Sequence, residues 1–395
     1  MKHVLILGGD GYLGWPTAMH FSARGWRVTV VDNYFRRNAC TELDTGMLYP
    51  TPTLPERARI WHEKTGHDIK VVIGDLADPA FMRSLFDERL RYDQAIEPGY
   101  SGLPDAIVHY AEQPSAPYSV MDYRRADITL TNNLRVTNNL MWAVRDFCPQ
   151  TPIVKLGTMG EYGTPNIDIE EGWLDIEHKG RRDRFLFPRQ ASSIYHTSKI
   201  MDTDLLWFGV RTWGLTVTDL MQGPVYGVAT DESAIDERLN TLFNYDEIFG
   251  TLINRFVTQA VIGYPLTVYG QGGQTRGYLD IRDTLQCVWL SVTQPPPAGE
   301  LRIFNQVMET FSVNELAKLT QRVGRSLGHD VVIDHIDNPR KEAEAHYYNP
   351  TYQGLIELGV EPHYLTEDSL AALFAIVEKH RPTIRREVIF RGVKW

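Results

Sequence analysis

The sequence predicts a doubly wound α/β fold, a parallel sheet with helices on both faces, carrying a smaller C-terminal lobe. Three observations lead there: short apolar, mostly β-branched runs alternate with long helical stretches, a glycine-rich turn follows the first run, and the alternation ends near Gln222. Val4–Leu7 is the first strand and Tyr12–Ser22 the first crossover helix. Val28–Val31, Val71–Ile73 and Ile107–His109 follow as strands, then Met121–Asp146 as a helix, Ile153–Leu156 as a strand, Ser193–Trp213 as a helix and Leu215–Thr218 as a strand. The strand runs are largely apolar rather than alternating, which marks strands covered on both faces and therefore parallel. Right-handed crossovers join them. Residues 1–222 form the sheet domain and 223–395 the second lobe. The apolar run Cys287–Val292 and the strand Arg302–Asn305 bring the chain back to the first domain near 280–310, and Pro295–Pro297 is a surface turn.

Composition removes several classes of function. The 395 residues are 43% apolar and 23% charged, enough to bury a large core. Net charge is −10 with no run of Lys or Arg, so the basic footprint of a nucleic-acid partner is missing. A phosphorylated substrate remains compatible, because arginines and helix N-termini act locally. Cys40, Cys148 and Cys287 are far apart and outside metal-ligand spacing, which predicts a reducing compartment without disulfides or a metal site. No apolar segment approaches the roughly 20 residues that span a bilayer, so no membrane insertion is expected. A strand begins within three residues of Met1 and leaves no room for a signal peptide, so the expected location is the cytoplasm.

The turn Gly8-Gly9-Asp10-Gly11-Tyr12-Leu13-Gly14 lies where strand passes into helix. Gly8 permits the tight turn, Gly11 lets the backbone approach a pyrophosphate, and Gly14 lets helix and strand pack closely. Asp32 ends the second strand, 18 residues past Gly14, where a carboxylate accepts hydrogen bonds from the adenosine ribose. Such a fold is of Rossmann type and its cofactor is a nicotinamide dinucleotide. Asp32 repels a 2′-phosphate and favours NAD over NADP, while Arg36 and Arg37 keep the phosphorylated form open. Asp75 either reaches the adenine or caps its strand. Tyr12, Asn33, Leu76 and Ala111 complete the expected cofactor-binding set.

Tyr195 and Lys199 stand at i and i+4 on a helix and share a face. A tyrosine near pKa 10 is a poor base at neutral pH, but an adjacent ammonium favours the phenolate. Lys199 is also expected to bond the nicotinamide ribose. Thr158, at the end of the fifth strand, is placed to share a substrate oxygen with Tyr195.

Glycine turn, Asp32, Thr158, Tyr195 and Lys199, in this order, resemble the extended short-chain dehydrogenases that act on nucleotide sugars, the epimerases and 4,6-dehydratases. Longer strings, including Leu156 to Glu171, Gln190-Ala-Ser-Ser, Asp219 to Gly223, Gly270 to Asp283, Phe311 to Leu316 and Asn338 to Asn349, are similar to the UDP-sulfoquinovose synthase family of sulfolipid biosynthesis. That resemblance implies NAD, UDP-glucose and sulfite, with oxidation at sugar C4, dehydration across C5–C6, sulfite addition and reduction at C4. It also implies a homodimer joined through a helix bundle. Gln113, Gln222 and Val225 are then placed on the substrate, and Arg276 and Arg340 suit the pyrophosphate or else sit on the surface. Glu342 fixes Arg340 or binds a ribose hydroxyl. The common dehydratases carry Asp-Glu after the threonine, whereas this chain has Met159-Gly160-Glu161, leaving Glu161 and His196 as candidates for proton transfer. The resemblance departs at Pro114, where the family has arginine, a natural partner of sulfite. A dehydratase or epimerase without sulfite is therefore the alternative, and a non-catalytic sensor of NAD or sugar nucleotide the third reading.

Overall fold

The computed structural model describes residues 1–90, 102–338 and 347–393. Its strands are β1 (His3–Leu7), β2 (Arg27–Asp32), β3 (Lys70–Ile73), β4 (Ala106–His109), β5 (Ile153–Thr158), β6 (Trp173–His178), β7 (Arg181–Leu186), β8 (Val217–Gln222), β9 (Val225–Tyr226), β10 (Leu266–Tyr269), β11 (Thr275–Asp280), β12 (Leu301–Gln306), β13 (Glu309–Ser312) and β14 (Ile333–Ile336). The helices are α1 (Gly14–Ala23), α2 (Phe35–Glu42), α3 (Leu54–Thr65), α4 (Pro79–Ser84), α5 (Ala116–Val120), α6 (Tyr123–Phe147), α7 (Ile194–Trp213), α8 (Leu252–Val261), α9 (Ile281–Thr293), α10 (Val313–Ser326), α11 (Gln353–Leu358) and α12 (Glu367–Lys379).

Seven parallel strands form the central sheet in the order β12-β8-β5-β4-β1-β2-β3. The order reverses between β1 and β4, and the crevice at such a switch point is where this class of sheet binds its ligand. Apolar side chains cover both faces. Leu5, Ile107, Leu140 and Leu206 belong to one buried cluster, while Val4, Ile6, Trp15, Phe21 and Val288 belong to the other. β12 and α9 return to this sheet from later in the chain, β12 pairing with β8 from Leu301↔Val217 to Gln306↔Gln222.

Two strands run further than their apolar pattern. β8 starts at Val217 rather than Leu215 and continues to Gln222, and β5 extends to Thr158. Each carries a buried charge, Asp219 and Lys155, and these neutralise one another at 3.2 Å. These two charged residues are thus paired inside the sheet. The antiparallel hairpin β6–β7 escaped the pattern for another reason: its second strand, Arg181-Arg-Asp-Arg-Phe185, is exposed and charged.

A separate buried cluster contains Tyr226, Phe243, Phe256, Leu316, Leu373 and Phe374, with α8, α10 and α12 packed together around it and Leu48 and Tyr49 joining from earlier in the chain. The strands of the second lobe are the parallel pair β10–β14 and the ribbon β13-β11-β9. β9 follows β8 directly and pairs with β11, and the two strands carry Val225 and Arg276, which line the cleft. Among the described residues no helix is long and apolar enough to cross a membrane.

Candidate active site

One cleft of about 760 Å³ runs from the glycine turn to the second lobe. At its first end Gly8 has φ 89°, and a Cβ there would stand 2.7 Å from the Tyr110 carbonyl carbon. A Cβ on Gly14 would lie 2.0 Å from Gly8 O, so this position fixes how closely α1 approaches the turn. At Gly11 the only contact for a Cβ is Gly8 O at 3.4 Å, which leaves that backbone open to the cleft. Tyr12 lines the same wall, its hydroxyl bonded to Gly227 O.

Asp32 accepts from Asp10 N at 2.8 Å and Tyr34 N at 2.6 Å, one bond per carboxylate oxygen. Each oxygen keeps acceptor capacity for a hydroxyl. Burial first, then the neighbouring Asp10 carboxylate, pushes Asp32 up to about 6. The nearby arginines are already occupied. Arg37 makes a two-point contact with Asp10 at 2.6 and 2.8 Å, and Arg36 donates to Asn244 Oδ1 at 2.8 Å. A 2′-phosphate would meet the Asp32 carboxylate with both guanidinium groups bonded elsewhere. Asn33, Asp75, Leu76 and Ala111 line the cleft beside Asp32, with Asn33 Nδ2 donating to Asp75 Oδ1 at 3.3 Å.

At the centre, α7 begins at the Ser193 cap, whose hydroxyl accepts from His196 N, and the Tyr195 amide donates to Ser119 Oγ at 3.1 Å. Thr158 ends β5 and caps the turn behind it, accepting from Gly160 N at 3.2 Å while its own proton stays available to a ligand oxygen. Thr158, Tyr195 and His196 line the cleft together. The His196 ring lies against Gly160, where a Cβ would come within 2.3 Å of Nε2, and its Nδ1 is 3.1 Å from Ser192 Oγ. Toward the second lobe the lining continues through Gln222, Val225, Tyr269, Arg276 and Tyr348. Gln222 donates to Gln306 Oε1 at 3.0 Å and Arg276 to Thr275 O at 2.8 Å.

Three expectations from the sequence require correction. Glu161 does not face the cleft: its carboxylate is fully buried, takes the Thr158 amide at 3.1 Å, and lies 3.5 Å from both Lys155 and Arg189. It holds the threonine turn in place and is not among the residues that line the cleft. Gln113 is also fully buried, its amide satisfied by Ser115 O at 2.9 Å and Thr129 Oγ1 at 2.8 Å, so it braces the β4 loop instead of touching substrate. Lys199 pairs with Glu112, and the Tyr195 phenol is pushed up, by burial first and then by Glu112 and Glu161, against the direction expected from the Tyr-Lys spacing. Arg340 and Glu342 lie outside the described residues.

The sequence reading passed over Lys155 and Glu112. Lys155 is fully buried and donates to Thr203 Oγ1 (2.7 Å), Asp219 Oδ2 (3.2 Å) and Lys199 O (3.2 Å), tying β5, β8 and α7 beneath the catalytic side chains. A charged residue inside an apolar strand run was the available signal for Lys155. A carboxylate just past β4, facing the switch point, was the signal for Glu112.

A dinucleotide-binding sheet whose switch-point cleft is lined by Thr158 and Tyr195, with the buried Lys199 one turn further along α7, defines a nicotinamide-dependent enzyme of the short-chain dehydrogenase type. The chain belongs to the NAD dependent epimerase/dehydratase family, whose model matches residues 4–305, and its cofactor is NAD. It is 45% identical to UDP-sulfoquinovose synthase, chloroplastic, of Spinacia oleracea, over 100% of this chain and 79% of that protein. It is 40% identical to UDP-sulfoquinovose synthase of Sulfolobus acidocaldarius, over 99% of this chain and 97% of that protein. Among solved structures, UDP-glucose 4-epimerase from Bifidobacterium longum in complex with NAD+ and UDP shares the fold with a TM-score of 0.68 at 21% identity, covering 97% and 99% of the two chains.

Lys155→Met leaves Asp219 buried without its cation and Glu161 with Arg189 alone. Removing one partner of a buried ion cluster costs about 3–5 kcal/mol, so the urea midpoint should fall accordingly. A variant as stable as the parent would show that the cluster does not hold the site together.

Proposed function

We propose that the chain makes UDP-sulfoquinovose from UDP-glucose and sulfite. The observation that carries this reading is near end-to-end identity, at 45% and 40%, to two proteins of that name from a plant and an archaeon. Gly11 and Asp32 would hold the pyrophosphate and adenosine ribose of NAD, with Asn33, Asp75, Leu76 and Ala111 around them. Gln222, Val225 and Arg276 would hold the nucleotide of the substrate, which brings the sugar to Thr158, Tyr195 and His196. When bound, NAD supplies a hydride acceptor at sugar C4 and returns the same hydride at the end.

Tyr195 takes the O4 proton while the Thr158 hydroxyl donates to the same oxygen. The resulting C4 ketone acidifies the C5 proton. His196, whose ring lies against Gly160, would take the C5 proton: the C5–H pair becomes the C5–C6 double bond, and the C6 hydroxyl leaves with a proton as water. The sulfur lone pair of sulfite then forms the bond to C6 and C5 takes back a proton. Tyr195 finally returns its proton to O4.

Pro114 favours a second reading. It lines the cleft where the resemblance places arginine, so the β4 loop offers no cation to an oxyanion. A nucleotide-sugar dehydratase or epimerase without sulfite follows if His196 and Ser192 do not replace that arginine. We place the protein in the cytoplasm, a reducing compartment consistent with three buried, free cysteines. We also propose a homodimer through the two long helices α6 and α7, which expose Tyr123 (87%), Trp142 (44%), Met201 (41%) and Phe208 (43%).

Mass spectrometry of UDP-glucose incubated with the enzyme tests the main reading. A sulfonated UDP-hexose formed only with sulfite supports it, and dehydration without sulfonate moves the function to the second reading. Tyr195→Phe should lower turnover by roughly 10²–10⁴-fold, the contribution of general acid–base catalysis. For the cofactor, the ionised form of Asp32 is the one that accepts from ribose hydroxyls. NAD affinity by calorimetry should therefore hold above pH about 6 and fall as pH drops through that value, and Asp32→Asn should flatten the dependence. A pH-independent affinity in the parent enzyme would remove Asp32 from the cofactor site. Light scattering should give a dimer mass for the parent and a monomer for the Trp142→Glu, Phe208→Glu variant; a monomeric parent contradicts the helix-bundle dimer.

A further inference from the structure

We infer that Glu112 is a positioning residue that sets the protonation of Tyr195 by holding the Lys199 ammonium against the β4 loop. The inference rests on the reading of Tyr195 as the base, and goes beyond it by assigning a role to a carboxylate outside the Thr-Tyr-Lys set.

Glu112 follows β4, its side chain is 5% exposed, and it contributes to the cleft wall. Its Oε2 is ion-paired with Lys199 Nζ, and its Oε1 lies 3.3 Å from His109 Nε2. The loop is clamped in that position. Asn133 of α6 accepts from Gln113 N at 2.8 Å and donates to Ser198 Oγ at 2.9 Å, which locks the β4 loop to the same helix that carries Tyr195 and Lys199. Glu112 therefore meets Lys199 through a braced contact.

The charges around Tyr195 decide what that contact does. His109 is fully buried and held at about 4, so it is neutral at pH 7 and brings no charge to Glu112. Asp202, three residues beyond Lys199 on α7, is pushed well up by burial and then by Glu112, which favours its neutral acid. Lys155 of β5 is committed to Asp219 of β8 and to Glu161, and Arg189, before α7, faces Glu161. His196 packs on the Tyr195 ring, with centroids 5.3 Å apart. This leaves Lys199 as the cation for Glu112. While the pair is closed, the ammonium that would favour a Tyr195 phenolate is neutralised, and the Glu112 charge itself opposes that phenolate. Tyr195 is thus kept as a phenol until Lys199 is drawn off Glu112, and a group that competes with Glu112 for Lys199 would switch the base on.

The test is a titration of the enzyme without substrate, by ¹³C NMR of protein labelled at the tyrosine Cζ, with Tyr195→Phe assigning the resonance. Glu112→Gln should move the Tyr195 midpoint down by about one pH unit or more, a tenfold or larger change in ionisation. The same substitution made together with Lys199→Met should move it less, since part of the effect passes through the ammonium. Should Glu112→Gln fail to fold, Glu112→Asp withdraws the carboxylate by one methylene and should shift the midpoint in the same direction by less. An unchanged midpoint in a folded Glu112 variant overturns the inference. Because no substrate is present, that result leaves the proposed reaction untouched. Failure to form sulfonate leaves the titration equally valid.

Discussion

The Lys155 ammonium is the contact on which the rest of the site depends. It sits with no solvent exposure in the middle of the central sheet, where an isolated charge would cost several kcal/mol. Its donors end on Asp219, Thr203 and the Lys199 carbonyl, with Glu161 at 3.5 Å. Three elements are joined at one point. Glu161 in turn takes the Thr158 amide, and the Lys199 carbonyl belongs to the turn of α7 that follows Tyr195. The spacing of Thr158 and Tyr195 is therefore set from below by one ion cluster.

The two arms of the cleft follow from the sheet order. Because the order reverses between β1 and β4, the turn after β1 and the loop after β4 diverge and open a crevice. Glycines line one side because backbone must come close, at Gly8 against Tyr110 and at Gly14 against Gly8. The second lobe closes the other side with β9 and β11. Arginines near Asp32 make contacts within the protein: Arg37 and the fully buried Arg57 both end on Asp10, and burial brings Arg57 down to about 10. Asp32 thus faces the cleft as the acceptor while its basic neighbours shape the wall behind it.

Much of this was legible in the sequence, for identifiable reasons. Strands β1 to β4 are short and largely apolar, and the glycine turn needs its residues at fixed offsets. Tyr195 and Lys199 keep helical spacing wherever the helix sits. What the pattern hid was charge in the interior. Lys155 lies inside the run read as the fifth strand and Asp219 just past the run Leu215–Thr218, and their pairing across β5 and β8 makes them compatible with burial. Glu161 read as a proton-transfer group and Gln113 as a substrate ligand because they are polar residues in conspicuous motifs, yet both are buried and brace the loops that carry the site. A sequence gives the offset of a polar side chain along the chain, but not which side of a turn it takes.

The account turns on a C4 ketone formed at Tyr195 that makes the neighbouring C5 proton removable. The most direct measurement is NMR of the sugar recovered after turnover of UDP-glucose in heavy water. Solvent deuterium at C5, absent when Tyr195 is phenylalanine, is the predicted result. Turnover that leaves C5 fully protonated would contradict the account and place the chemistry at C4 alone.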